Sequence, residues 1–402
     1  MNNENTENRA PLAGVRVLDL STMLAGPFGA MMLADLGAEV IKIETPSGDN
    51  TRNFPPHYHH DESLYYMSFN RSKKSMVINL KTEEGLNVFY ELVKHADIVW
   101  DNYRAGITKR LKIDYDVLKE INPRIICSSV TAYGENNPYD HNDPTYDLCI
   151  QAMSGVLSMT GERDRPPVKL GVPMADISGG WYAVVGVLAA LNARNATGKG
   201  CHVDVAMLDA LSSLNCYEAT YFLNTGVKPV RLGTQHRSLV PYQIFKTKDL
   251  YIAIVVASDK FWGKLCEGIG HPEMISNPDY IDLKARFANR EKLVAHLEEI
   301  LSDRSCREWV EVLKAAGVPC APVNTLEEAL SEPALLYRDM VISVEHEGEK
   351  VKLLGNPIKL SGYEQKYSCP PKLGENTAEI LSGILDMPEE EIKKLKDARA
   401  IL

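Results

Sequence analysis

The sequence lacks the features that mark several common protein classes. Its eight cysteines form no C-x-x-C pair and no zinc-type spacing, which argues against redox or metal chemistry and favours core thiols in a reducing compartment. No run approaches the roughly 20 apolar residues that would span a bilayer, and the polar start MNNENTENRA lacks the hydrophobic segment of a signal peptide. We therefore expect a cytoplasmic protein without a membrane segment.

A basic surface is also missing. The chain has 44 Lys and Arg against 54 Asp and Glu, a formal net charge of −10, and no basic stripe, so we expect no nucleic-acid partner. The first strand-to-helix junction contains Ala25-Gly26-Pro27 rather than G-x-G-x-x-G, and no acidic ribose ligand follows it. A nicotinamide oxidoreductase is therefore disfavoured, and the junction alone favours a tight turn over a phosphate site.

The first third of the sequence alternates between strand-like and helix-like stretches. This alternation predicts a mostly parallel sheet with helices on its faces, a Rossmann-like arrangement without the nicotinamide fingerprint. Further on, DLCIQAMSGVLSMTG and LDALSSLNCYEATYFLNTG each predict one helix, and residues 176–194 are apolar on nearly every face, which predicts a buried helix. The predicted strands of the sheet are VRVLDLS, AEVIKIE, SMVINLK, DIVWDNY, RIICSSV and CHVDVAM.

The length of 402 residues exceeds the usual size of a single core and predicts two domains. From about residue 226 the sequence predicts mostly loops. A predicted strand, LYIAIVVAS, and several amphipathic helices follow. These features predict a smaller α+β domain that ends near GVPCAPV. The last part of the chain predicts a hairpin that turns near Gly348 and a terminal helix.

Asp176 lies in ADISGG, at the start of the apolar helix, and two interpretations compete for it. An Asp at a helix N-terminus is stabilised by about 0.3–1 kcal/mol as a cap. The same position suits a nucleophile that the helix field keeps ionised. Gly179 and Gly180 weaken the first turn by roughly 0.5–1 kcal/mol each, and small residues there would leave room for a ligand beside the carboxylate.

Two further groups of polar residues have an ordinary interpretation and a functional one. Lys81 and Arg110 each follow a strand, so they could reach a phosphate at the carboxyl edge of the sheet, or they are exposed cations. His57, His59 and His60 stand close together in FPPHYHHDE. A structural zinc site needs a fourth ligand and a rigid frame, so we expect a surface loop here and no metal site.

Six stretches of the chain, in this order and spacing, resemble the class III CoA-transferase family, also called the CaiB/BaiF family, over about residues 12 to 400. The stretches are LAGVRVLDLSTMLAGPFGAMMLADLGAEVIKIETPSGDNTR, NRSKKSMVINLKTEEG, ADIVWDNYRAGITKRL, PTYDLCIQAMSG, GVPMADISGG and RNATGKGCHVDVAMLDA. The resemblance implies a large α/β domain built from both chain ends, 1–225 together with 326–402, and a small domain with its linkers over 226–325. It also implies a homodimer whose two chains are threaded as interlocked rings.

The resemblance implies the chemistry as well. Asp176 matches the catalytic aspartate, which would attack a donor acyl-CoA, form a mixed anhydride and then an aspartyl-CoA thioester, and pass CoA to an acceptor carboxylic acid. Coenzyme A and acyl-CoA are then substrates, and no tightly bound cofactor, metal or ATP is required. The positions that match the family's CoA contacts are Met23, Leu24, Ala25, Ile78, Lys81, Asn102, Tyr103 and Arg110.

This chain departs from the family pattern at two places. Leu24 stands where the formyl-CoA transferase branch has glutamine, and GTQHRS (233–238) replaces a glycine-rich loop, which disfavours a formate/oxalate exchanger. Gln235 and His236 remain candidate lid residues. Leu24, Tyr146, Trp181 and Tyr182 would line an apolar acceptor pocket suited to a larger or aromatic acid, and packing in the core accounts for the same residues equally well.

Two other functions of the same fold remain open. A 2-methylacyl-CoA racemase would use a His where this chain has Tyr146, and Tyr, with a reference pKa near 10, is a poor base at neutral pH. A non-catalytic acyl-CoA-binding protein would need Asp176 only as a cap. Tyr146 therefore counts against the racemase, and the sequence favours a transferase.

Overall fold

The structure is a computed structural model that describes residues 10–139 and 144–402, so most of the polar N-terminal stretch lies outside the described part. The strands of the described residues are, in chain order, β1 (Arg16–Asp19), β2 (Glu39–Glu44), β3 (Tyr58–His59), β4 (Glu62–Ser63), β5 (Lys74–Val77), β6 (Ile98–Asp101), β7 (Ile126–Thr131), β8 (His202–Ala206), β9 (Tyr242–Lys246), β10 (Tyr251–Val255), β11 (Cys320–Pro322), β12 (Val341–His346) and β13 (Glu349–Leu354).

The described residues also contain α-helices and two short 3₁₀ helices, Asn50–Asn53 and Pro272–Ile275. The α-helices are α1 (Ala25–Asp35), α2 (Leu64–Asn70), α3 (Glu83–Lys94), α4 (Ile107–Leu111), α5 (Tyr115–Ile121), α6 (Asp147–Met153), α7 (Val156–Met159), α8 (Met174–Thr197), α9 (Met207–Ser213), α10 (Cys216–Thr225), α11 (Asp259–Gly268), α12 (Leu283–Ala288), α13 (Arg290–Leu301), α14 (Cys306–Ala315), α15 (Leu326–Leu330), α16 (Pro333–Tyr337), α17 (Thr377–Leu385) and α18 (Glu389–Asp397).

The main sheet has six parallel strands in the order β5-β2-β1-β6-β7-β8. The chain builds outward from β1 through β2 to β5, then returns to the other side of β1 and continues outward to β8. The strand order therefore reverses between β1 and β6, where Leu18 pairs with Val99. In open α/β sheets, ligands bind beside the carboxyl ends of the strands at such a switch point. The predicted α/β fold with a mostly parallel sheet is confirmed.

Helices cover both faces of this sheet, which explains why its strands place apolar residues on both faces. Helices α1 and α8 pack with α6 and α9 on one face, around Trp100 and Leu33. Helices α3, α5, α17 and α18 cover the other face, around Phe89 and Leu92. The C-terminal helices thus complete the core that the first third of the chain begins. Thr82 caps α3, since its hydroxyl accepts from the Gly85 N–H at 3.1 Å.

Helix α8 differs from its sequence-based interpretation as a buried helix. One side packs against α1 and β7, but Trp181, Tyr182 and Val185 are exposed, Val185 by 64%. By length and composition α8 is also apolar enough to cross a membrane. This contradicts the expectation that no stretch of the sequence is long and apolar enough. Half of the most apolar part of α8 is buried inside this chain. Core helices of globular proteins meet the same criterion, so the observation is weak support for a membrane span.

The chain divides into two compact units. The first consists of Met1–Val156, Leu170–Thr220 and Leu336–Leu402, and the second of Leu157–Lys169 and Tyr221–Leu335. The second unit contains the antiparallel sheet β11-β10-β9, on which helices α11, α13 and α14 pack around Trp262 and Trp309. The domain boundaries that the resemblance implies, 1–225 with 326–402 and 226–325, stay a prediction.

Two stretches that predicted single helices are each broken into two. Residues 147–159 form α6 and α7, separated at Gly155, whose φ of +86° no ordinary helix residue adopts. Residues 207–225 form α9 and α10, separated before Cys216 at φ +43°. The breaks face each other, because Asn215 Nδ2 donates to the Ser154 carbonyl at 2.8 Å. This tertiary bond satisfies a backbone group that a continuous helix would have satisfied locally.

The expected core thiols are only partly found. All eight cysteines are free, and Cys127, Cys266 and Cys306 are buried. Three others are exposed, and the expectation was wrong for them: Cys149, Cys201 and Cys216.

Candidate active site

A cavity of about 660 Å³ opens at the switch point of the main sheet. Its walls come from the segments that follow β1, β6 and β7, from α2 and α6, and from the first turn of α8. The charged residues among its described lining are Arg104, Asp147 and Asp176. Parallel strands bring these segments to one edge although they are far apart in the sequence.

The segment Thr22–Ala25, between β1 and α1, is held against the cavity by side chains of two other segments. Asn102, at the end of β6, accepts from the Thr22 N–H at 2.9 Å and donates to the Thr22 carbonyl at 2.8 Å. Asp49 accepts from the Met23 N–H at 3.4 Å. Met23 has φ +68°, in the left-handed region that a side chain rarely adopts. These contacts fix the strained backbone and present Leu24 to the cavity.

Buried ion pairs lie beneath this segment. Lys42 contacts Asp49 at 3.0 Å and donates to the Ser21 carbonyl at 2.7 Å. Lys73 contacts Asp19 at 2.9 Å, and burial lowers the pKa of Lys73 to about 8. All four side chains are fully buried. Removing one partner would leave an unpaired buried charge, which costs about 3–5 kcal/mol, so this network fixes the floor of the cavity.

Asp176 lies in the first turn of α8 and is not its cap. The N-cap is Pro173, which makes Asp176 the third helical residue. The capping group is instead the Asp147 carboxylate of α6, which accepts from the N–H groups of Ala175 at 2.9 Å and Asp176 at 3.4 Å. Gln151 holds Asp147 in place, donating to its other oxygen at 2.6 Å. The capping interpretation of Asp176 is therefore wrong, and its carboxylate faces the cavity.

The pKa of Asp176 is raised to about 7, first by burial and then by the negative charge of Asp147. The expectation that the helix field keeps Asp176 ionised is therefore wrong in direction. A helix N-terminus stabilises a carboxylate by only about 0.3–1 kcal/mol, and desolvation together with a like charge outweighs that. Near neutral pH the side chain is divided between its protonated and ionised forms.

Gly179 and Gly180 do not leave room for a ligand, contrary to the sequence-based interpretation. A Cβ on Gly180 would stand 2.7 Å from the carbonyl oxygen of Ala25, and one on Gly179 would stand 3.0 Å from Met207. The glycines therefore permit α8 to pack directly on the backbone of α1 and on α9. This close approach brings the first turns of α1 and α8 together at the cavity.

The structure brings together most of the candidate residues from the first unit. Lining the cavity with Asp176 are Met23, Leu24, Ala25, Asn102, Tyr103 and Tyr146. Of the residues expected to form an apolar acceptor pocket, Trp181 and Tyr182 are missing from its lining. Trp181 packs edge-on against Phe28, with ring centroids 6.2 Å apart.

Ile78, Lys81 and Arg110 do not line the cavity. Ile78 is buried and forms a β-bridge with Ile401. Lys81 precedes the cap of α3 and Arg110 lies in α4, both exposed at the carboxyl edge of the sheet. Lys81 follows β5 and Arg110 follows β6. These two strands are three positions apart in the sheet, so their carboxyl ends are about 14 Å apart.

Gln235 and His236 belong to the second unit, in a turn that Arg290 organises. Arg290 donates to the Gln235 side chain at 3.3 Å and to the His236 carbonyl at 2.9 Å. The His236 Nδ1 accepts from the backbone N–H groups of Ser238 and Leu239, and its ring stacks on Tyr242. Their predicted role as lid residues stays a prediction.

Three cavity residues escaped the sequence analysis. Asp147 follows Tyr146 and resembled an ordinary first-turn acid, and Arg104 stood in a loop. Tyr65 lies in α2, which was not predicted. Burial, Asp176, Asp49 and Asp147 raise the pKa of Tyr65 to about 12, so it is a neutral hydrogen-bond donor at the cavity. Arg104 follows a predicted strand and Asp147 begins a predicted helix, whereas Tyr65 has no comparable position.

A second cavity of about 270 Å³ contains Asp101, Ser129 and His202. The Ser129 hydroxyl donates to Asp101 at 2.8 Å, and His202 Nε2 lies 3.1 Å from the same hydroxyl. In a serine nucleophile site the acid orients the histidine, whereas here both groups compete for the serine. Burial raises the pKa of Asp101 to about 7, and the arrangement resembles a structural polar chain between strands.

Comparisons with known proteins agree with this geometry. Residues 12–377 match the model of CoA-transferase family III. The chain is 39% identical to acetyl-CoA:oxalate CoA-transferase of Acetobacter aceti, covering 92% of this chain and 95% of that protein. It is 35% identical to human succinyl-CoA:glutarate CoA-transferase, covering 98% and 90%. A crystal structure of a CaiB/BaiF family protein from Brucella suis superposes with a TM-score of 0.84 at 37% identity, covering 94% and 100%.

Proposed function

This chain belongs to CoA-transferase family III, and on that premise we propose that it moves CoA from a donor acyl-CoA to an acceptor carboxylic acid through covalent intermediates on Asp176. One observation carries the proposal. The Asp176 carboxylate is half-buried, has its pKa raised to about 7, and stands in the wall of the cavity at the switch point of the sheet.

In the first half-reaction, an Asp176 carboxylate oxygen attacks the thioester carbonyl of the donor. The C–S bond breaks, CoA leaves as a thiolate, and Asp176 becomes one half of a mixed anhydride. The thiolate then attacks the aspartyl carbonyl, which forms an aspartyl-CoA thioester and releases the donor acid as a carboxylate.

In the second half-reaction, the acceptor carboxylate attacks the aspartyl-CoA carbonyl and expels the thiolate again. The resulting anhydride joins the acceptor to Asp176. Attack of the thiolate on the acceptor carbonyl forms the new acyl-CoA and regenerates the Asp176 carboxylate. Each step exchanges one acyl bond for another, so the free energy of the thioester is retained throughout.

A carboxylate is a weak nucleophile, and the cavity helps it in two ways. Holding the thioester against Asp176 supplies up to about 7–11 kcal/mol through positioning. Burial removes the water that would otherwise solvate the carboxylate or hydrolyse the anhydride. The fixed Met23–Ala25 segment and the neutral Tyr65 hydroxyl then provide the surface on which the acyl group is oriented.

The CoA moiety is proposed to extend from this cavity along the carboxyl edge of the sheet. Met23, Leu24, Ala25, Asn102 and Tyr103 would contact its thiol end. Lys81 and Arg110 are exposed further along the edge and would contact the phosphates. The Lys81 ammonium would act as a point charge, and the Arg110 guanidinium would bind through two parallel hydrogen bonds. Ile78 has a buried side chain, so its contribution would be to fix the end of β5.

The acceptor is proposed to be a small dicarboxylic acid, or a molecule with a second anionic group. The names of two relatives pair an acyl-CoA with oxalate or with glutarate. In this chain Arg104 is the basic residue among the described lining of the cavity, and a guanidinium binds a carboxylate in a bidentate geometry. A larger or aromatic acid, which the sequence favoured, is set aside because Trp181 and Tyr182 do not line the cavity.

A trapping experiment tests the covalent route. The protein is incubated with succinyl-CoA or acetyl-CoA, treated with hydroxylamine, and digested for peptide mass spectrometry. We expect a hydroxamate on Asp176 in the wild type and none in Asp176→Asn, with Asp116→Asn, an exposed carboxylate on α5, as the matched control. No adduct with any of several acyl-CoAs, together with deuterium exchange at the α-carbon of a 2-methylacyl-CoA, would refute this route and favour a racemase.

The protein is also proposed to be a homodimer of interlocked chains. Trp181, Tyr182 and Val185 form an exposed apolar strip on α8 in the single chain. Contiguous apolar surface of this kind usually marks an interface. A second copy of the chain would cover this strip. The interlocked arrangement of the two chains is what the resemblance to the family implies.

A further inference from the structure

Three histidines from distant parts of the sequence meet at one place in the first unit. His59 and His60 lie at the tip of the β3–β4 hairpin, and His346 ends β12 at the tip of the β12–β13 hairpin. One nitrogen of each imidazole lies within 4.8 Å of the corresponding nitrogens of the other two. The site lies outside the proposed active site, because none of the three residues lines the cavity.

Three ring nitrogens of this cluster are buried without a hydrogen-bond partner among the described residues. His346 is only 7% exposed, yet both of its ring nitrogens are buried and unpaired, as is Nε2 of His59. Buried polar groups are nearly always paired in proteins, and each exception requires an explanation. A neutral imidazole with an accessible lone pair is also the commonest metal ligand in proteins.

Carboxylates complete the surroundings of the three rings. Glu347 and Glu349 lie 3.7 Å and 3.8 Å from the two ring nitrogens of His60. Glu347 is also paired with Lys372, so Glu349, whose side chain is 65% exposed, is the carboxylate more able to turn toward an ion. A set of three imidazoles and one carboxylate suits zinc, whose ligands are nitrogen and oxygen at tetrahedral corners.

We propose that His59, His60 and His346, with Glu349 as the fourth ligand, form a binding site for a zinc ion that joins the two hairpins. The sequence-based expectation of no metal site rested on the missing fourth ligand and frame. Both are supplied by a hairpin that follows almost 300 residues later. Tetrahedral coordination at about 2.0–2.1 Å requires nitrogen–nitrogen distances of roughly 3.3 Å, so the rings need to approach one another by at most about 1.5 Å.

The role of the ion would be structural. The β12–β13 hairpin belongs to the C-terminal segment that completes the first unit, and its tip meets the N-terminal part through the three histidines. A ligand that binds the folded chain but not the unfolded one raises stability with its concentration. Zinc would therefore raise the melting temperature of the protein.

The test uses tag-free, chelator-treated full-length protein whose exposed thiols have been alkylated. Cobalt(II) is titrated in as a spectroscopic probe, zinc is used to displace it, and melting temperatures are recorded with and without zinc. We expect one metal ion per chain, visible absorption bands typical of four-coordinate cobalt, and a higher melting temperature with zinc.

Three variants locate the site. His60→Asn, at an exposed position with φ +49° that Asn tolerates, and His346→Gln should weaken zinc binding by more than the roughly 10–100-fold that loss of an outer-shell partner costs. His57→Asn, exposed in the same loop but outside the cluster, should bind zinc as the wild type does. Undiminished binding in His60→Asn, equal weakening in His57→Asn, or the absence of one-to-one binding would overturn the proposal.

Discussion

At the scale of single residues, Asp176 as the proposed nucleophile meets two opposing requirements. To attack a thioester it must be ionised, and to be reactive it must be desolvated, which disfavours ionisation. The structure places it between these limits, since burial and Asp147 raise its pKa to about 7. Asp147 at the same time caps α8, so one side chain both fixes the helix start and adds to the rise in the pKa of its neighbour.

The first prediction concerns the pH dependence of acyl transfer. In the proposed mechanism only ionised Asp176 attacks, so kcat/KM should rise about tenfold per pH unit below 7 and level off above it. Asp147→Asn removes the like charge, which lowers the pKa of Asp176 and moves this rise to lower pH. The profile is measured with saturating acceptor and limiting donor. An unmoved profile in Asp147→Asn, with Asp116→Asn as the control, would mean that Asp147 only caps the helix.

At the scale of elements, the cavity depends on how closely α1 and α8 approach. Gly29 and Gly180 face each other across this contact. A Cβ on Gly29 would stand 2.4 Å from Trp100, and one on Gly180 would stand 2.7 Å from the Ala25 carbonyl oxygen. The sequence shows glycines in both helices, where they cost about 0.5–1 kcal/mol each against alanine. Their reason is visible only when the two helices are placed together.

Gly180→Ala is therefore expected to push the first turns of α1 and α8 apart. Because the neighbouring atoms are backbone, we expect a loss of about 1–3 kcal/mol in the free energy of unfolding and a lower kcat, since Ala25 and Asp176 lie on either side of the contact. Denaturant unfolding and steady-state kinetics measure the two effects.

The matched control is Gly263→Ala in α11, where an added Cβ meets nothing within 4 Å. Helix propensity alone predicts a stabilisation of about 0.5–1 kcal/mol for that variant. If Gly180→Ala were equally stable and fully active, tight packing between α1 and α8 would not be what positions Asp176.

The same scale separates what the sequence could predict from what it could not. The strands of the main sheet and helices such as α3 follow from local periodicity and from the cap at Thr82. The breaks at Gly155 and before Cys216 depend on a bond between Asn215 and Ser154, and no periodicity records it. Helix α2 was missed because Tyr65 and its neighbours follow a polar loop without a recognisable repeat.

At the scale of the whole molecule, the switch point of the sheet could be inferred only in part. Alternating strands and helices predict a parallel sheet, but not the order in which its strands lie. That order brings Leu24, Asn102 and Tyr146 beside Asp176 and leaves Lys81 and Arg110 further along the edge. Asp147 and Arg104 enter the site by the same topology, and the residues themselves show no local sign of it.

Interlocking of two chains makes a prediction that an ordinary dimer does not. Chains that merely pack through the exposed strip of α8, which includes Trp181 and Val185, dissociate and exchange partners. Chains threaded through each other exchange only after unfolding, because one chain must open before the other can leave. Two populations, one labelled with heavy nitrogen, are therefore mixed and followed by native mass spectrometry. We expect dimers of unmixed mass for days, and mixed dimers only after denaturation and joint refolding. Rapid mixing without denaturant would show that the chains are not threaded, and a monomer would refute the dimer itself.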